Sequence, residues 1–134
     1  MPTVELVIPK RPVSQQARRR ERVREWKELV AAHALDTVGP KHRLATGPVA
    51  LRLLYLYDDV VLDVDNILKP IFDALSGVLF IDDAAVTDVE IRRRSRRTAF
   101  TFTALSPVLA AALDLDREFL HVALSDSPRQ DLLP

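Results

Sequence analysis

Residues 63–83 read D-V-D-N-I-L-K-P-I-F-D-A-L-S-G-V-L-F-I-D-D, an acidic pair, an apolar stretch at helical spacing and a second acidic pair. Asp63 and Asp65 stand two apart at the end of an apolar run, and on an extended backbone both carboxylates would point to one side. Asn66 is the expected helix N-cap, since its short side chain suits an unpaired backbone N–H. Val64, Ile67, Leu68, Ile71, Phe72 and Leu75 then give the helix one apolar face that must dock on something. Lys69 lies four residues after Asp65, one turn further along. Gly77 ends the helix by accepting a left-handed conformation after Ser76. The short apolar run Val78 to Ile81 leads into Asp82 and Asp83.

Two readings of these acids compete. Aspartates commonly cap helix ends and decorate turns, and for any one of them that reading has about even weight. The joint pattern favours chemistry: from Asp58 to Glu90 the chain carries nine acids and a single basic residue, Lys69, although the whole protein has a net charge of zero. If the two ends of the helix segment meet, several carboxylates and one lysine converge, and like charges that close need a cation. Oxygen donors without any cysteine suit Mg²⁺ or Mn²⁺.

The pattern D-x-D-N-x-x-K, an apolar helix, A-L-x-G and an apolar run ending in D-D resembles the RusA-type Holliday junction resolvases, continuously from about Val61 to Ile91. Five polar positions at fixed spacing make it more specific than a lone D-x-D. The resemblance implies that Asp63, Asp65 and Asp83 are the essential metal-binding aspartates and Lys69 the essential lysine. Asp82 matches the acid before the last aspartate and is a candidate fourth ligand. It also implies a structure-selective endodeoxyribonuclease of DNA recombination and repair, with a four-way junction as substrate and a homodimer as working unit.

Length and composition set the frame. A chain of 134 residues with 48% hydrophobic content fits one globular domain. Cysteine is absent, which removes disulfides and thiolate zinc sites and agrees with a reducing compartment. The beginning M-P-T-V-E-L-V-I-P is too short and polar for a signal peptide, and no apolar run approaches membrane-spanning length. The expectation is a cytoplasmic protein without a membrane partner.

Thr3 to Ile8 alternates and reads as a first strand stopped by Pro9; Lys10 to Gln16 is a polar loop, loosely similar to the basic, Pro-containing loop of the same family. Ala17 to about Leu35 reads as a helix, with Val23, Trp26, Leu29, Val30 and His33 on one stripe. Its first half holds Arg18, Arg19, Arg20, Arg22 and Arg24, where the helix dipole would prefer acids. Glu21, Glu25 and Glu28 offset part of this charge, and for most of these arginines a solvated face is the plainer reading. The remaining excess points to phosphates.

Asp36 to Pro48 reads as a loop, Val49 to Tyr57 as a central strand, and Asp58–Asp59 as a turn. Thr87 to Arg94 and Thr98 to Ala104 both alternate, and R-R-R-S-R-R between them reads as a hairpin tip. Its five arginines suit phosphate oxygens, against the alternative of an edge strand protected by charge. Arg18, Arg19, Arg22, Arg92, Arg94, Arg96 and Arg97 are therefore the candidate DNA contacts. Ser106 to Leu113 reads as a short helix and Glu118 to Leu124 as a last strand, before a polar tail containing Pro128.

The expected architecture is α+β, with α/β-like features: a single domain whose mixed sheet of about four to five strands carries two main helices. Residues 1–125 would form the nuclease domain, with motif core 61–91, and 126–134 the tail. His33, His42 and His121 show no short ligand spacing and read as structural or exposed. No Gly-rich phosphate loop, Ser-His-Asp set or dinucleotide fingerprint is present. Three rivals remain open at this level: a non-catalytic branched-DNA-binding protein, a nuclease acting on other branched DNA, and a structural module with solvated acids.

Overall fold

The computed structural model describes residues 4–127 and 129–133. Thr3, the expected start of the first strand, and Pro128 of the tail lie outside the described residues. The elements are β1 (Val4–Ile8), α1 (Arg20–Val38), β2 (Val49–Tyr57), α2 (Val64–Leu75), a 3-10 turn (Asp83–Ala85), β3 (Val86–Ser95), α3 (Pro107–Leu113) and β4 (Phe119–Asp126). Four strands form one mixed sheet in the order β1-β4-β2-β3. β4 runs antiparallel to both β1 and β2, whereas β3 pairs parallel with β2 at the edge. The α+β expectation holds.

Alternation in the strands separates the two faces. Val4, Leu6 and Ile8 of β1, Leu51, Leu53 and Tyr55 of β2, and Leu120, Val122 and Leu124 of β4 are buried in one core with Trp26 and Val30 of α1 and Ile67, Ile71 and Leu75 of α2. On the opposite face Leu56, Phe119, Leu109 and Ala112 form a smaller cluster under α3. The α3 cap is Ser106, whose hydroxyl accepts from the Leu109 N–H at 3.1 Å. Two helices on one side of the sheet thus leave the loops that enter and leave α2 along the parallel edge.

Three local expectations change. α2 begins at Val64 with Asp63, not Asn66, in the N-cap position, because Asn66 and Ile67 already donate their N–H groups to the Asp63 carbonyl. Asp65 therefore lies in the first helical turn, and the extended backbone assumed for the acidic pair is not what is found. The hairpin is also absent: β3 ends at Ser95, the Thr98 N–H closes a turn onto the Ser95 carbonyl, and residues 98–104 form no strand. Phe100 and Phe102 pack edge to face instead, with centroids 5.3 Å apart, and Phe102 covers the smaller cluster. Of the two alternating phenylalanines only Phe102 turns inward, Phe100 stays exposed, and β3 had already found its partner in β2. His121 sits in β4 with Nε2 2.6 Å from the Glu5 carboxylate, in keeping with its structural reading.

Candidate active site

The parallel β2-α2-β3 unit builds the site. After β2 the chain turns through Asp58 and Asp59, and residues 60–62 carry it to α2 without regular structure. That short segment is tied down from several sides. Tyr55 donates its hydroxyl to the Val60 carbonyl at 3.0 Å, and Arg93 Nη1 donates to the Leu62 carbonyl at 2.7 Å. The Tyr55 phenol is pushed up to about 12 by burial, aided by the Glu118 charge, so it stays a donor. Arg96 bridges Asp58 at 2.6 Å and Asp116 at 2.5 Å, and Arg97 reaches Asp59 at 2.9 Å.

These pairs revise the reading of the arginine run. Arg96 and Arg97 meet acids of their own chain, Arg92 lies 2.7 Å from Glu90, and Arg94 donates to the Arg93 carbonyl. Arg18, Arg19 and Arg22 are exposed and make no ion pair among the described residues. Arg24 stands 4.0 Å from Glu28, one turn on.

α2 contains a proline in its interior, Pro70. Proline has no N–H, so the carbonyl four residues earlier, that of Asn66, loses its helical donor. The Gln15 N–H takes that place at 3.1 Å. The polar loop before α1 is thereby fastened to the first turn of α2, and the chain leading to Arg18 and Arg19 starts beside the acidic pair. The sequence carried the signal in Pro70, since a helix-interior proline always frees an acceptor.

Asp63, Asp65, Arg92, Arg93 and Arg94 line one open pocket with Val64 and Ile91. Asp63 occupies a capping position, yet its side chain makes no capping hydrogen bond and is 77% exposed. The plain explanation for an aspartate at a helix start therefore does not account for it. Arg93 belongs to the arginine run that the sequence offered for phosphate contact but was not singled out within it. Ile91 packs against the core while Val89 on the same face stays exposed, and the same alternation turns Arg93 to the α2 side, where it pairs in register with buried Tyr55 and reaches within 3.7 Å of the Asp63 carboxylate.

Asp82 and Asp83 line a second pocket with Asp73 and Ser76 at the far end of α2. Asp82 accepts from the Ala84 N–H at 2.9 Å and caps the 3-10 turn, so for this residue the structural role is real. Lys69 lies between the pairs and bonds Asp73 at 2.8 Å, while Lys27 of α1 meets the same carboxylate at 3.0 Å. The hydrogen bond that Lys69 donates to Asp73 leads in raising the Lys69 pKa, followed by the Asp73 charge, and the charge of Asp83 adds to it. Lys69 is thus a cation at neutral pH, suited to stabilising negative charge and not to accepting a proton.

The predicted ligands consequently fall into two groups joined through Lys69. Among the described residues no three His, Cys, Asp or Glu side chains gather closely enough to hold a metal ion. Two exposed carboxylates in one pocket still match Mg²⁺, which keeps several waters and typically takes one or two carboxylates plus substrate phosphates. No helix of the described residues is long and apolar enough to cross a membrane.

Against known protein families, the model described as endodeoxyribonuclease RusA matches residues 9–102, which spans the basic loop, α1, β2, both acidic pairs and β3. No curated protein matches the chain.

Proposed function

The chain belongs to the endodeoxyribonuclease RusA family, and on that footing we propose that it resolves four-way DNA junctions by paired, metal-dependent nicks. The observation that carries this reading is Asp63, a helix-start carboxylate left out of capping and exposed beside Asp65 in a pocket edged by arginines. Asp63 and Asp65 are the residues of this pocket that would hold Mg²⁺, or Mn²⁺ in its place, with Asp83 and Asp82 at the far end of α2 as the further ligands that the family resemblance implies; the bound ion would supply charge neutralisation at the scissile phosphate and a water of lowered pKa.

Lys69 places its Nζ charge one turn beyond Asp65, where it stabilises negative charge developing on the phosphate or leaving oxygen. Arg18, Arg19 and Arg22, which make no ion pair among the described residues, together with Arg92 and Arg94 at the pocket edge, hold the DNA backbone. Arg96 and Arg97 act first by fixing Asp58 and Asp59, and so the segment that delivers Asp63. A junction offers two equivalent strands, so a twofold homodimer carries one site for each. With zero net charge, binding depends on these local patches and weakens steeply with salt.

The test is cleavage of a synthetic four-way junction with and without Mg²⁺. Paired symmetric nicks are expected, lost in Asp65→Asn while junction binding persists. Binding without cleavage in Mg²⁺ or Mn²⁺ would establish the non-catalytic alternative, and faster cutting of flaps or other branches would reassign the substrate.

A further inference from the structure

We propose that Arg93 is the residue of this pocket that binds a phosphate of the DNA strand to be cut; the proposal rests on the nuclease reading above. Asp63 and Asp65 together present negative charge to an anionic substrate, so a phosphate approaching them needs a cation on the same face. Lys69 bonds Asp73 at 2.8 Å and is not among the residues that line this pocket, and Arg92, Arg96 and Arg97 are engaged with Glu90, Asp58, Asp116 and Asp59. Register separates the neighbours further: Arg92 and Arg94 pair with Leu54 and Leu56 on the α3 side of the sheet, whereas Arg93 pairs with Tyr55 on the α2 side, with the acids.

Arg93 is also held in place in advance. Nη1 donates to the Leu62 carbonyl at 2.7 Å, and the Asp63 carboxylate stands 3.7 Å from that same atom, beyond hydrogen-bond length. A guanidinium carries five N–H donors, so one anchored arm leaves a fork for a phosphate. Its side chain is 38% exposed, which leaves it open to substrate from the pocket it lines. An arginine anchored at one end and unsaturated at the other is arranged for bidentate recognition, which lysine at this position would not reproduce.

The experiment compares wild type, Arg93→Gln and Arg93→Lys in two assays, junction binding across a salt series in metal-free buffer and junction cleavage in Mg²⁺, with melting temperature as the control for folding. Gln keeps a donor for the Leu62 carbonyl but loses the charge. If Arg93 binds phosphate, Gln lowers the salt slope of log affinity by about 0.9 and cuts cleavage at least about tenfold, while Lys keeps the slope and recovers only part of the cleavage. An unchanged slope in Gln overturns the proposal and leaves Arg93 as a tie for residue 62 alone. Should wild type bind junctions and never cut them, cleavage fails as a function while the slope still decides the role of Arg93; a wild type that binds no DNA overturns both.

Discussion

The two acidic pairs at either end of α2 have the same composition and different employment. Asp82 accepts the Ala84 N–H and caps a turn, and Asp83 shares a pocket with Asp73 and Ser76. Asp63 sits at a helix start without capping it, faces Arg93, and shares a pocket with Asp65. One pair includes a residue that its own backbone explains; in the other, backbone hydrogen bonding leaves the Asp63 carboxylate unused. An aspartate that occupies a cap position without capping is the more informative residue, because its ordinary reason for being there is missing.

The largest expected effect falls on the first pair. Asp65→Asn should lower Mg²⁺-dependent junction cleavage by about a thousandfold or more, the equivalent of some 4 kcal/mol of barrier, with the fold intact by circular dichroism. Cleavage within tenfold of wild type would move the chemistry away from this pocket. Next comes the cation between the pairs: Lys69→Ala should cost about a hundredfold in single-turnover cleavage and little in melting temperature, since its partner Asp73 retains Lys27.

Asp82 of the second pair should respond in the opposite sense. Asp82→Ala removes a cap acceptor and should cost about 1 kcal/mol in denaturant unfolding, with cleavage reduced less than about tenfold. A loss of cleavage as deep as that of Asp65→Asn would show that the two pairs act alike after all. The smallest effect is the pH response of Asp73. Burial raises its pKa, but the hydrogen bonds from Lys69 and Lys27 outweigh burial and hold it below the usual carboxylate range. Its contribution to stability is therefore present above the unfolded value near 4 and is lost as pH falls through the lowered folded value. Melting temperatures measured from about pH 7 to about pH 3 should fall less steeply in Asp73→Asn than in wild type.

Much of the fold was legible because its signals are local. Helical spacing gave α2, alternation gave the inward face of β1, and Gly77, with φ of +81°, ends α2 as its sequence position suggested, whereas in β3 Ile91 packs against the core and Val89 stays exposed. Alternation over residues 98–104 misled because it reports a face and not a partner; Phe100 and Phe102 pack on each other without a strand to join. Asn66 misled because capping propensity describes a residue type, whereas the first turn was decided by where the Asp63 carbonyl meets its donors. Arg93 was hidden within a run of like residues, and only register against β2 separates it from Arg92 and Arg94.

The sequence by itself determined the order of the candidate side chains: aspartates and one lysine at fixed spacing along an amphipathic helix, with arginines close behind, all of them consequences of covalent order and backbone periodicity. Tertiary structure alone decided how those groups are divided between pairing and availability. Arg96 and Arg97 pair with Asp58 and Asp59, positions 38 residues away in each case, and the Asn66 carbonyl freed by Pro70 is taken by Gln15 from another segment. Such partners are chosen by the parallel crossover that brings β3 beside β2, which ties one arm of Arg93 to the Leu62 carbonyl and leaves Asp63 at 3.7 Å.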